Sequence, residues 1–150
     1  MLLNCRKIAI ALLLCLFLNS LLFIPEAKAG LFSSSSLAGL VTMKNMAERS
    51  TPYNLAMKNN QPTILEFYAN WCTTCQGMAL TMENLESEYG EKFNFVMLDI
   101  DDPQWVDIIQ QYRVTGVPQF TFLDRDRHTQ KTLVGKVPRS IMTQYFAQLL

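Results

Sequence analysis

The chain has 150 residues, 13 basic against 13 acidic side chains, a formal net charge of zero and 49% hydrophobic residues. That length holds one domain once any targeting segment is set aside. The balanced charge supplies no field for a polyanion, and no basic stripe interleaved with aromatic residues occurs, so nucleic acid is not an expected partner.

The first thirty residues differ in kind from the rest. Arg6 and Lys7 precede an apolar run from Ile8 to Ile24, interrupted by Asn19 and Ser20 and closed by Pro25. Residues 1–30 therefore read as a signal peptide or signal anchor. The run is at the short limit for crossing a bilayer, while Ala27-Lys28-Ala29 before Gly30 has the small-x-small form that a signal peptidase accepts, so cleavage and retention are both open. The positive-inside rule keeps Arg6 and Lys7 on the cytoplasmic or stromal side and sends the remainder into a periplasm or a thylakoid-type lumen. Cys5 and Cys15 lie in or beside the apolar run, and the leucines before Cys15 lack the small residue of a lipoprotein site. One Cys pair is left in the exported part, which suits a redox couple better than a disulfide scaffold.

Residues 31–50 read as a linker and a short helix: Leu31 to Ser36 is Ser-rich, and Leu37, Leu40, Val41, Met43 or Lys44, and Ala47 predict an amphipathic helix over 37–48. Residues 51–150 are the working domain. Thr51 as N-cap and Pro52 at the first helical position predict a helix over 52–59, stopped at Asn59-Asn60. After Gln61-Pro62, the β-rich, mostly apolar run Thr63 to Ala69 predicts a strand carrying one carboxylate, Glu66. Thr73 to Tyr89 predicts a helix ended by Gly90, with Met78, Met82, Leu85 and Tyr89 as its core side. Phe93 to Ile100 predicts a strand buried on both faces, and Asp101-Asp102-Pro103 caps a helix to about Tyr112. Gln119 to Leu123 and Lys131 to Val134 predict a hairpin around a charged turn, Asp124 to His128, in which His128 is solvated. Gly135 ends the hairpin, and a helix after Pro138 presents Ile141, Met142, Tyr145, Phe146 and Leu149. The order is β-α-β-α-β-β-α preceded by a helix, an α/β fold.

The chemistry concentrates in Trp71-Cys72-Thr73-Thr74-Cys75, where the first strand hands over to a helix. Unpaired N–H groups and the positive end of the helix dipole favour a thiolate there, which makes Cys72 the candidate nucleophile. Cys75, one turn further on, is placed to attack a mixed disulfide formed by Cys72. Other readings of a Cys-x-x-Cys are a structural disulfide, a zinc half-site and a Cu(I) site. Zinc needs about four ligands and the chain adds only Cys5, Cys15 and His128. Two thiolates suffice for Cu(I), so a copper or apocytochrome chaperone stands as the alternative function. No bound cofactor or metal is expected. Glu66 in an apolar strand is expected to be buried, with a raised pKa that Met97 does nothing to oppose, and to take the proton of Cys75 as that thiol attacks. The competing reading is an edge carboxylate facing solvent.

From about residue 50 to 150 the chain resembles the thioredoxin family, on Glu66 to Cys75 (E-F-Y-A-N-W-C-T-T-C), Tyr112 to Pro118 (Y-R-V-T-G-V-P) and Gly135. E-F-Y-A-N-W-C, F-V-M-L-D-I-D at 95–101 and V-G-K-V-P-R at 134–139 are similar to the membrane-anchored thioredoxin-like proteins of cyanobacteria and plastids, the TxlA type. The resemblance implies a thioredoxin fold, a central mixed sheet flanked by helices behind the hydrophobic signal or anchor helix. It implies thiol-disulfide exchange through Cys72 and Cys75, with Trp71 as a cover on the site, and client binding by Trp71, Val117 and a cis Pro118. A trans Pro118 ending a loop is the other reading of that residue. Dithiol or disulfide clients, a membrane electron donor, and a role in assembling c-type cytochromes and the cytochrome b6f complex are further implications. Thr73-Thr74, Leu80, Glu66 and Met97 depart from ordinary thioredoxins, which have Gly-Pro, a helix-kinking Pro, an Asp and a Lys there, so the reduction potential is open.

Overall fold

The computed structural model describes residues 34–150; the readings placed on 1–30, on Cys5 and Cys15, and on residues 31–33 lie outside them. Among the described residues no helix is long and apolar enough to cross a membrane. The elements are α1 (Ser34–Arg49), α2 (Tyr53–Ala56), β1 (Thr63–Tyr68), α3 (Thr73–Tyr89), β2 (Asn94–Asp99), a 3₁₀ turn (Pro103–Trp105) continuing into α4 (Val106–Gln111), β3 (Gln119–Leu123), β4 (Thr129–Val134) and α5 (Arg139–Leu149). The sheet runs β2-β1-β3-β4, with β1 and β2 parallel and the other two pairings antiparallel.

Side chains alternate across a strand, so β1 divides its residues between two cores. Ile64 joins Phe95, Phe120 and Phe122 under α1, α3 and α5, with Met46, Met78, Met82, Leu85, Met142 and Phe146 from those helices. Leu65 and Phe67 join Val96, Leu98 and Leu123 on the opposite face, under Ala56 and Tyr53 of α2 and Trp105, Ile108 and Ile109 of the 3₁₀ turn and α4. Glu66 has the parity of Ile64 and is carried into the first face. Phe146 centres that core, its ring against Tyr89, Phe93, Phe95 and Phe122. Burying such a ring fully contributes about 2–3 kcal/mol.

Three details differ from the sequence reading. The helix read as 37–48 begins at Ser34, inside the expected linker, and its buried face is Met43 and Met46, while Leu37 and Val41 are exposed. Pairing with α3 decides this. Gly39 lies so close to α3 that a Cβ there would come within 2.3 Å of the Gln76 carbonyl oxygen, and that contact sets which face turns inward. The helix read as 52–59 is a single turn, Tyr53–Ala56; its N-cap position falls on Pro52, which has no side-chain acceptor, and the Thr51 N–H donates to the Phe95 carbonyl at 2.8 Å. As read from the sequence, Gly90 ends α3; its φ is right-handed at −61°, and its missing Cβ matters because one would sit 2.5 Å from the Glu86 carbonyl oxygen. Ile141 is exposed, leaving Met142 and Phe146 as the buried residues of α5.

Gly39→Ala is a direct check on the α1–α3 contact. Helix propensity alone favours Ala by about 1 kcal/mol, whereas overlap with a backbone carbonyl that cannot rotate away forces the helices apart. Urea unfolding is expected to show a net loss of about 1–3 kcal/mol.

Candidate active site

β1 ends at Tyr68, and Ala69, Asn70 and Trp71 turn the chain into α3. Cys72 is the N-cap residue, in extended conformation, and the Cys75 N–H donates to its Sγ at 3.0 Å. A sulfur there accepts an otherwise unpaired helix N–H and faces the positive end of the dipole, the setting that stabilises a thiolate. Cys72 and Cys75 are joined as a disulfide, their Cα atoms 5.2 Å apart. Cys72 is 5% exposed and Cys75 is fully buried, so an incoming partner reaches Cys72 first.

The surrounding loops come from three places in the chain. The Val117–Pro118 peptide is cis, and the Val117 carbonyl oxygen lies 3.5 Å from Cys72 Sγ. Trp71 is 64% exposed, and its indole N–H donates to Asp101 at 2.8 Å. Asn70 donates to Asp99 at 2.9 Å, and the Gln76 amide donates to the Asn70 carbonyl at 2.8 Å. Between Trp71 and Val117 lies an open groove of about 470 Å³, floored by Ile100, Ile109, Val114, Thr115 and Gly116. An extended peptide laid there would bring a sulfur toward Cys72, with the Val117 backbone available for pairing.

Trp71, Cys72, Cys75, Val117 and Pro118 thus converge. Glu66 is set apart from this cluster, on the same sheet face but further along it. It is 3% exposed, and its Oε2 is the one buried side-chain oxygen or nitrogen among the described residues that lacks a hydrogen-bond partner. Burial, with a smaller contribution from the charge of Glu86, pushes its carboxyl up to about 8. The solvent-facing alternative does not hold. Met97 is its partner in the β1–β2 register and supplies no cation.

Sequence reading missed Asp101, taken there only as part of a helix cap, and it missed Glu86, which borders the same small cavity as Glu66, and Arg49, which grips Glu86. Asp101 is thirty residues from Trp71, and nothing local marks it as an anchor. His128 lies on an exposed turn whose Asp124 carboxylate accepts from the Asp126 and His128 N–H groups. Asp124, Asp126 and His128 bring their ligand atoms within 4.8 Å of one another, an arrangement that these turn hydrogen bonds account for.

Comparison with known proteins places the geometry. A family model described as Thioredoxin matches residues 44–148. The chain is 41% identical over 101 residues to the thiol:disulfide interchange protein TxlA of Synechococcus elongatus, covering 67% of this chain and 53% of that protein. It is 36% identical over 118 residues to the chloroplastic thioredoxin-like protein HCF164 of Arabidopsis thaliana, covering 79% of this chain and 45% of that one. The chain therefore spans about half the length of these relatives. Among solved structures, the germline thioredoxin Deadhead of Drosophila melanogaster superposes with a TM-score of 0.55 at 27% identity, covering 61% of this chain and 84% of its own. Yeast mitochondrial thioredoxin 3 gives 0.53 at 26% identity, over 63% and 84%. The chain belongs to the thioredoxin family, with Cys72 and Cys75 as its Cys-x-x-Cys pair.

Proposed function

We propose that the protein is a thiol-disulfide oxidoreductase that reduces disulfides of lumenal or periplasmic proteins, held to the membrane by its N-terminal hydrophobic segment. The observation that carries this reading is the Cys72–Cys75 disulfide, with one reachable sulfur beside the Val117 carbonyl and the Trp71 groove. In the reduced protein the Cys72 thiolate attacks a client disulfide, forming a mixed disulfide and releasing one client thiolate. Cys75 loses its proton to the ionised form of Glu66 by way of a water, attacks Cys72 Sγ and expels the second client thiolate. Two electrons pass to the client, and the protein is left with the disulfide seen here. A membrane dithiol donor restores the pair. The full burial of Cys75 favours this exchange over Cu(I) held between two exposed thiolates.

The extracytoplasmic site is supported by Arg6 and Lys7 ahead of the apolar run and by the interchange and chloroplastic names of the relatives. Support of c-type cytochrome or cytochrome b6f assembly rests on the TxlA-type resemblance. Two measurements check the reading. Protease added to sealed membranes from the non-cytoplasmic side is expected to digest the region after residue 30; digestion from the cytoplasmic side alone overturns the location. Equilibration with dithiothreitol is expected to place the Cys72/Cys75 potential toward the reducing end of the family range, roughly −270 mV, and a value near roughly −120 mV makes the protein an oxidant instead.

A further inference from the structure

Glu66 shares a cavity of about 10 Å³ with Glu86 and Ser50, walled by Met46, Met82 and Met97. Its walls are almost entirely apolar, and the polar residues that border it are Glu66, whose Oε2 is unpartnered, Glu86, and Ser50, whose hydroxyl donates to the Ala47 carbonyl at 3.0 Å. The Glu86 side chain is partly exposed and is gripped from α1. Arg49 donates to Glu86 Oε2 through Nη2 at 2.7 Å and through Nε at 3.1 Å, and Nη2 also reaches Glu83 at 3.3 Å.

We propose that Glu66 and Glu86 act as a coupled carboxylate pair across this cavity, and that Arg49, by gripping Glu86, sets how readily Glu66 gives up its proton. The inference rests on the reading of Glu66 as the acceptor for the Cys75 proton and adds the residues that set when it is free to accept. A negative charge facing the same small cavity opposes ionisation of Glu66, and an Arg against that charge weakens the opposition. Of the charged and titratable groups, Glu86 on α3 shares the cavity with Glu66 and Tyr68 neighbours it on its own strand, while Arg49 on α1 contacts Glu86 and Glu83 further out; β2 and β3 present Met97 and Phe120 in register. Arg49 lies on the helix that precedes the sheet, so the seating of α1 on α3 is coupled to the readiness of the exchange site.

The test follows the infrared band of the protonated Glu66 carboxyl through a pH titration of the oxidised protein, the band being assigned by its loss in Glu66→Gln. Glu86→Gln removes a negative neighbour and is expected to move the inflection to lower pH by about one unit. Arg49→Met exposes Glu66 to an uncompensated Glu86 and is expected to move it to higher pH, and Arg49→Lys, which keeps the charge, is expected to restore most of the wild-type position. A packing defect alone would not drive the two variants in opposite directions. Inflections that stay put, or that move the same way in Glu86→Gln and Arg49→Met, overturn the proposal. If Glu66→Gln leaves the rate at which Cys75 resolves a mixed disulfide unchanged, the acceptor role of Glu66 fails, while the opposed band shifts still decide the carboxylate pair.

Discussion

Cys75→Ser is expected to accumulate mixed disulfides with extracytoplasmic proteins, and Cys72→Ser to form none. Cys72 is the less buried of the two, 5% exposed, at the helix N-terminus and against the Val117 carbonyl, so it makes the first bond to a client. Cys75 is fully buried behind it and makes the second attack from inside. A serine at position 75 cannot expel the client, and the intermediate persists until an outside thiol resolves it. In both variants, turnover with a disulfide substrate should fall to the background of free thiol. Non-reducing gels followed by reduction read the trapped clients. Equal trapping by the two variants would mean that either sulfur attacks, against the difference in their exposure.

Glu66→Gln is expected to stabilise the oxidised fold at neutral pH and to slow resolution. The carboxyl is raised from 4.5 to about 8 by burial first and by Glu86 second. A folded value above the unfolded one means that the protonated side chain contributes its full stability below about pH 4.5. That contribution is lost as pH rises through about 8, where the buried group must ionise. Between pH 4.5 and 7 the loss reaches about 3 kcal/mol as an upper figure. Glutamine does not titrate, so its advantage over wild type should be absent at pH 4, grow through neutrality and level off above pH 8. Denaturant melts at a series of pH values measure this. Without a carboxylate to take the Cys75 proton, resolution should slow by on the order of 10²-fold. A stability difference that does not vary with pH would mean that Glu66 titrates normally, and the proton route drawn through it would be wrong.

Much of this architecture was legible along the chain. Trp71 to Cys75 between an apolar strand and a helix with a Met and Leu stripe, the Asp102-Pro103 start and the 119–134 hairpin all depend on near neighbours. Local propensity and side-chain periodicity act over a few residues, so their signals survive in the linear order. The face of α1 was not legible: Leu37 and Val41 fit the helical period as well as Met43 and Met46 do, and the close approach of Gly39 to Gln76 chooses between them.

The site divides along the same line. The Cys pair, its Trp and the Gly-x-Pro segment are short motifs in which residue type and spacing already carry the chemistry, and an acid inside an apolar strand already implies desolvation. What surrounds these groups was decided only when the chain closed on itself. Asp101 reaches Trp71 across 30 positions, and Arg49 reaches Glu86 across 37. Hydrogen bonds and ion pairs between separate elements depend on how those elements pack, and packing is set by the volumes and shapes of all the buried side chains together. Sequence alone therefore determined that this protein carries a Cys-x-x-Cys pair where an apolar strand hands over to a helix; the tertiary structure decided that Cys75 is the more deeply buried sulfur and that Glu86 shares a cavity with the buried Glu66.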